Sequence, residues 1–272
     1  MTNKDLIKQY VDTGVGIPRY QFDKLSNQDK KTYLRKIYIS LDQSPSNVEF
    51  YYAELPEEKQ LDMVQKYGGD LIQFFQNPSE KVQLAAVKVD KGFANDAIKY
   101  IQNPSEKVQL EAVKNYGKAI KYIQNPSEAV KLAAVQDSPR AIKYIKNPSE
   151  DVQILAVQKD ANSIKYIQNP SEKVQLVAVN KSGRVIQYIE NPSEAVKLVA
   201  VKNTKYALLD IQNPSEAVQM EIVQKDGEFI RYFKNPSEAV QLAAVKQSLY
   251  ALQFIMMPTP RVLALSKELY GG

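Results

Sequence analysis

The sequence predicts an all-α fold, a right-handed α-solenoid of about ten 22-residue helical-hairpin repeats with an N-terminal helical cap. Three observations predict it. The tetrapeptide Asn-Pro-Ser-Glu recurs with prolines at Pro78, Pro104, Pro126, Pro148, Pro170, Pro192, Pro214 and Pro236, and a fixed period in this range marks a repeat architecture. After a first step of 26 residues, every later step is 22. Each tetrapeptide opens an apolar helical pattern, and a second, shorter apolar segment follows before the next copy.

In chain order, residues 1–54 are expected to form an N-terminal helical capping segment, with a loop at Gly14-Val15-Gly16-Ile17-Pro18 and a helix from Asp29 to Leu41. Residues 55–257 form the repeat array. Its first unit is degenerate and opens at Pro56, which lies 22 residues before Pro78. Pro258 lies 22 residues after Pro236, so residues 258–272 read as a C-terminal capping helix.

Within a unit, positions are counted from the proline as zero. Asn at −1 is expected as the helix N-cap, because its side-chain oxygen can accept an orphan backbone N–H. Proline then takes the first helical position, where its missing N–H costs nothing. Glu at +2 becomes the N3 residue of an Asn-led capping box. The helix is apolar at +4, +6, +8 and +9, as in Val130, Leu132, Ala134 and Val135, leaving mainly +3, +5 and +10 polar. A helix apolar nearly all round is buried between neighbours. Gly117, Gly183 and Gly227 suit a C-terminal helix cap, and Pro139 suits the first turn of a new helix. The second segment, Ala141-Ile142-Lys143-Tyr144-Ile145 in one unit, is about two turns long and too short to be stable alone. Stacking between units therefore has to supply the core.

The run Asn-Pro-Ser-Glu-x-Val-x-Leu-x-Ala-Val resembles the leucine-rich variant repeat, in which a 3₁₀ or short helix pairs with an α-helix. It is also similar to HEAT-like α-hairpins. The resemblance covers roughly residues 56–265. It implies a solenoid and no particular activity.

Composition excludes several chemistries. The chain has no Cys and no His, so thiolate metal sites, disulfides and the commonest general base are absent. No catalytic constellation stands out, and Gly14-Val15-Gly16 lacks the rest of a nucleotide-binding loop, so a non-enzymatic protein without cofactor or metal is expected. The start Met-Thr-Asn-Lys-Asp is polar and no apolar run approaches membrane-span length, which makes a cytoplasmic protein the expectation. A net charge of +5 over 272 residues is only mildly basic and selects no partner.

Three periodic surface features are candidates for binding. The position five residues ahead of the next proline, +17, carries Lys99, Lys121, Lys143 and Lys165, then Gln187, Leu209, Arg231 and Gln253. A lysine ladder suits phosphates or an acidic protein face, and equally a solvated helix edge. The next position, +18, carries Tyr100, Tyr122, Tyr144, Tyr166, Tyr188 and Tyr232, with Phe74 and Phe254 at the ends. Such a row is read as packing between repeats with the hydroxyls at the surface, or as a platform for single-stranded bases. The pattern breaks at Leu209-Asp210 and in the insertion around Lys91-Gly92-Phe93-Ala94. Departures from local consistency are candidate functional sites, and also places where drift is tolerated.

The functional expectation is a repeat scaffold that binds a host or viral protein. Nucleic-acid backbone binding and sequestration of a small anionic ligand are the alternatives. The compact, cysteine-free composition and near-identical units resemble phage or mobile-element proteins, implying a role such as inhibition of a host defence factor.

Overall fold

The computed structural model describes residues 55–89 and 97–271, together with Thr2, Asp5, Ser26 and Asp29. Those four apart, the expected cap over residues 1–54 lies outside the described residues, as do its Gly14–Pro18 loop and the insertion at Lys91 to Ala94. Among the described residues the chain is all-helical, without strands, and α-helices alternate with 3₁₀ helices. Packing divides it into two compact units, Met1–Gln124 and Asn125–Gly272.

The first unit contains α1 (Glu57–Tyr67), η1 (Gly69–Phe74), α2 (Glu80–Val89), η2 (Ala97–Tyr100), α3 (Glu106–Asn115) and η3 (Gly117–Tyr122), where η denotes a 3₁₀ helix. The second runs α4 (Glu128–Asp137), η4 (Pro139–Tyr144), α5 (Glu150–Lys159), η5 (Ala161–Tyr166), α6 (Glu172–Lys181), η6 (Gly183–Tyr188) and α7 (Glu194–Asn203). It continues through η7 (Lys205–Asp210), α8 (Glu216–Lys225), η8 (Gly227–Tyr232), α9 (Glu238–Gln247), η9 (Leu249–Phe254) and α10 (Pro260–Tyr270). Inside each unit, consecutive α-helices form one layer and consecutive 3₁₀ helices the other. In the second unit each 3₁₀ helix from η4 to η6 also touches both its own α-helix and the next.

The helix start is built differently from the capping expected of Asn-Pro-Ser-Glu. The N-cap is the serine: Ser171, at φ −60° and ψ 157°, accepts the Val174 N–H, and Ser105, Ser127, Ser149, Ser193, Ser215 and Ser237 do the same in their units. Glutamate is therefore the first helical residue, not N3. The asparagine lies upstream in the left-handed region, Asn169 at φ 48° and Asn77, Asn103, Asn125, Asn147, Asn191 and Asn213 close to it. The proline disfavours right-handed helix for the residue before it, which keeps the asparagine out of the helix start. Asn is one of the few side chains that enters the left-handed region readily. Proline sits ahead of the cap, and its carbonyl accepts from the +5 glutamine, as in Gln175 Nε2 to Pro170 O at 2.9 Å. Position +5, expected to be simply polar surface, is thus half-buried and bonded.

Val at +4, Ala at +8 and Val at +9 are fully buried, as in Val174, Ala178 and Val179. Leucine at +6, as in Leu176, is only half-buried, because a two-layer array leaves the outer side of its α-layer to solvent. From α3 to α9 each helix ends on an extended residue at +12, such as Ser182 at φ −153°, whose N–H bonds to Ala178 O at 3.0 Å. The glycines at +13 are therefore not left-handed caps. Gly183 and Gly227 begin a 3₁₀ helix at a close approach, where an added Cβ would lie 2.3 Å from the carbonyl oxygen of Ala200 or Ala244.

Side chains at +11 join one unit to the one before. Asn203 Nδ2 donates to Asn180 O at 2.7 Å while its Oδ1 accepts the Gly183 N–H at 2.8 Å. Gln247 accepts the Gly227 N–H at 2.6 Å, and Lys225 Nζ donates to Lys202 O at 2.7 Å. These contacts satisfy carbonyls and amides that a helix end leaves without intrahelical partners.

A second inter-unit link uses the capping serine. Ser171 Oγ donates to Glu150 at 2.6 Å, Thr259 to Glu238 at 2.9 Å, and Ser149, Ser193, Ser215 and Ser237 donate to Glu128, Glu172, Glu194 and Glu216. The motif glutamate thus serves the next repeat, not its own helix start. Hydrogen bonds from Ser171 and Lys173 hold the Glu150 carboxyl below its ordinary value of 4.5. Ser79 and Lys81 do the same for Glu57.

Candidate functional site

In the 3₁₀ segments a three-residue turn sorts the side chains into separate stripes. Ile at +16 and Ile at +19 point inward, as in Ile186 and Ile189, and +15 is buried beside them as Ala141, Val185 or Ala207. Positions +14 and +17 stand one turn apart on the remaining, outer edge. In the second unit this edge reads Arg140 and Lys143 on η4, Asn162 and Lys165 on η5, and Arg184 and Gln187 on η6. It continues as Tyr206 and Leu209 on η7, Glu228 and Arg231 on η8, and Tyr250 and Gln253 on η9.

The lysines of the ladder are exposed and lie over tyrosine rings. Lys143 Nζ stands 4.6 Å from the Tyr144 ring centre, and Lys165 5.0 Å from Tyr166 and 6.0 Å from Tyr188. In the first unit Lys99 lies 4.6 Å from the Tyr100 centroid and Lys121 4.4 Å from Tyr122. Such contacts hold a cation by the ring quadrupole, at about 0.5–1 kcal/mol on an exposed surface. From Tyr100 to Phe254 the aromatic rings at +18 are half-buried or exposed, so this row edges the 3₁₀ layer instead of lying wholly between repeats.

The other singled-out residues divide. Arg231 is fixed by Glu228, with Nη2 to Oε2 at 2.7 Å, and its guanidinium lies 4.4 Å from the Phe254 ring centre. Asp210 replaces a tyrosine but pairs with Arg184 of the preceding repeat at 3.2 Å, so its carboxylate is engaged within the array. Leu209 faces solvent at 53 % exposure, alongside Tyr206 at 51 %, Tyr232 at 52 % and Tyr250 at 71 %. Phe229 lies 6.0 Å from Tyr206 and 5.2 Å from Tyr232, centre to centre, joining two of the exposed rings.

Three ion pairs tie the 3₁₀ edge to neighbouring repeats: Arg140–Asp160 at 3.5 Å, Arg184–Asp210 and Lys205–Asp226 at 2.6 Å. Asp226 keeps the Lys205 ammonium above its ordinary value. Burial alone would raise Asp160, but the Asn162 backbone and amide and Arg140 bring it below the ordinary range.

Positions three apart share a face on an α-helix and on a 3₁₀ helix alike, so spacing alone could have set Arg140, Arg184 and Tyr250 beside Lys143, Gln187 and Gln253. A separate open groove in the first unit is floored by Leu61, Leu84 and Ala85, and its rim lysines Lys81 and Lys107 already pair with Glu57 and Glu80. Among the described residues no acidic cluster could hold a metal ion, and no helix is long and apolar enough to cross a membrane. In comparisons with known proteins, no family model, curated protein or solved structure matches the chain.

Proposed function

We propose that this chain is a non-enzymatic repeat scaffold that binds a protein partner along the outer edge of its 3₁₀ helices. The observation that carries the reading is the set of apolar side chains at that edge, Tyr206, Leu209 and Tyr250, with Tyr232 beside it, each more than half exposed. Exposed apolar side chains gathered on one face mark interaction sites, and tyrosine is enriched among residues that dominate binding energy. The stack of short units holds these side chains on rigid elements, which limits the entropy lost on association.

Nucleic-acid binding fits less well. The face of Tyr144 or Tyr166 that a base would stack on is already occupied by a lysine ammonium. The setting we favour is a phage or mobile-element protein acting on a host factor, a reading that rests on composition and on the near-identity of neighbouring repeats.

The test is affinity capture from host lysates with mass spectrometry, comparing the natural chain with a Leu209→Asp/Tyr232→Ala variant. One protein retained in stoichiometric amount by the natural chain and lost by the variant is the expected result. Equal recovery by both, or no specific protein from any plausible host, would overturn the reading.

A further inference from the structure

The exposed edge of the second unit changes chemistry along its length, and this polarity narrows the partner. Over η4 to η6 it carries Arg140, Lys143, Lys165 and Arg184 against two carboxylates, Asp160 and Asp210, which pair with Arg140 and Arg184, so a net positive charge remains. Over η7 to η9 the exposed apolar groups are Tyr206 and Leu209 on η7, Tyr232 beside the edge on η8 and Tyr250 on η9, with the Glu228–Arg231 pair between them. In this second half the charges pair among themselves, Lys205 with Asp226 and Arg231 with Glu228. One end therefore offers positive charge and the other offers apolar rings.

Spacing adds a second constraint. Packed helices stand about 8–10 Å apart, and an extended chain rises about 3.3 Å per residue. One repeat thus spans about three residues of an extended segment, so six 3₁₀ helices match about fifteen. A segment in the polyproline II form, with three residues per turn and a rise of about 3.1 Å, would return a side chain to the surface once per repeat, whereas a strand would turn every second such residue away. A helix rises only about 1.5 Å per residue and does not keep that register with few residues.

Resting on the proposed protein-binding role, we infer that the partner presents an extended segment of about fifteen residues in two blocks. One block carries Asp or Glu at every third position and lies over η4 to η6. The other carries Leu, Phe or Tyr at the same spacing and lies over η7 to η9. Electrostatic attraction at the first block speeds encounter and sets register, while burial of the second against Leu209 and the tyrosines supplies most of the affinity.

The full chain is titrated with fluorescein-labelled 15-residue peptides: the two-block sequence in both directions, a scramble of identical composition, and a single-stranded oligothymidylate of equal length. One direction of the two-block peptide should bind at least about tenfold more tightly than the scramble. Lys143→Glu/Lys165→Glu should weaken it about tenfold and flatten its salt dependence. Leu209→Asp/Tyr250→Ala should weaken it by a similar factor and leave the salt slope unchanged. All four positions are exposed, so an unchanged melting temperature separates lost binding from lost folding. Equal binding of block and scramble, or tighter binding of the oligothymidylate, would overturn the inference. If block and scramble bind alike while Leu209→Asp/Tyr232→Ala still abolishes lysate capture, the two-block inference falls and the protein-binding edge stands. If neither measurement responds to changes at Leu209, both fall.

Discussion

From α4 to α9 the buried positions hardly vary. Val130, Val152, Val174, Val196, Val218 and Val240 stand at +4, and Val135, Val157, Val179, Val201, Val223 and Val245 at +9. Alongside them, the outer edge of η4 to η9 changes from arginine and lysine to tyrosine and leucine within the same unit. The α-layer fits one helix against the next, so any change there must fit two neighbours at once. The 3₁₀ edge touches solvent, and its residues change while the stack stays the same. The buried positions of both layers carry stability, and the exposed 3₁₀ edge carries chemical variety.

The comparison breaks first at the core. Ile186 is almost fully buried where the two layers meet, and Ile186→Ala should cost about 2–5 kcal/mol in urea unfolding, the range for truncating a buried aliphatic. A loss under 1 kcal/mol would mean that the 3₁₀ layer contributes little to the fold. The turn comes next. Asn169 at φ 48° should tolerate Gly, whereas Asn169→Val should cost about 1–2 kcal/mol because β-branching is disfavoured in the left-handed region. Equal stability of the two variants would contradict the geometry.

Ser163 stands where Ala141, Val185 and Ala207 stand in other units, fully buried and with no hydrogen-bond partner for its hydroxyl. Ser163→Ala should raise stability by about 1 kcal/mol, since the lone hydroxyl is desolvated without return. A destabilised variant would reveal a bond to that hydroxyl. A smaller effect concerns acid. Glu150 is held below its ordinary value of 4.5 first by the Ser171 hydroxyl and then by Lys173, so its contribution is present above pH 4.5. That contribution is lost as pH falls through the lowered folded value. Urea midpoints of the natural chain should therefore drop more between pH 5 and pH 3 than those of Ser171→Ala; parallel curves would remove the link. Smallest of all, Leu209→Lys should shift stability by no more than about 0.5 kcal/mol, as for surface positions generally. A larger loss would place Leu209 with the core instead of the edge.

Much of this was legible beforehand. The 22-residue period, the buried +4, +8 and +9 positions and the helical hairpin all follow from spacing and apolar pattern. The identity of the cap does not, because Asn and Ser are both good N-caps and Pro suits a first helical position. Only the backbone shows Asn in the turn, Ser at the cap and proline ahead of it. The 3₁₀ form was equally hidden. Apolar residues at +15, +16 and +19 lie on one side of an α-helix and also of a three-residue helix, so the pattern fits both periods. The +14 companions Arg140, Arg184 and Tyr250 were missed for another reason: their residue type changes from repeat to repeat, although a spacing of three puts them beside +17 in either helix. The half-buried +6 leucine was obscured because apolar character alone does not say how many layers enclose a helix.

The serine–glutamate link between repeats has a consequence for how the chain can change length. Every such joint has the same two halves, so excising residues 149–170 would bring Pro148 directly to Ser171, and Glu128 would find the Ser171 hydroxyl where it had held that of Ser149. Such a protein behaves like a ruler cut at any graduation, able to gain or drop a notch in one genetic event without new joinery. Its length could then be reset far faster than point substitution allows.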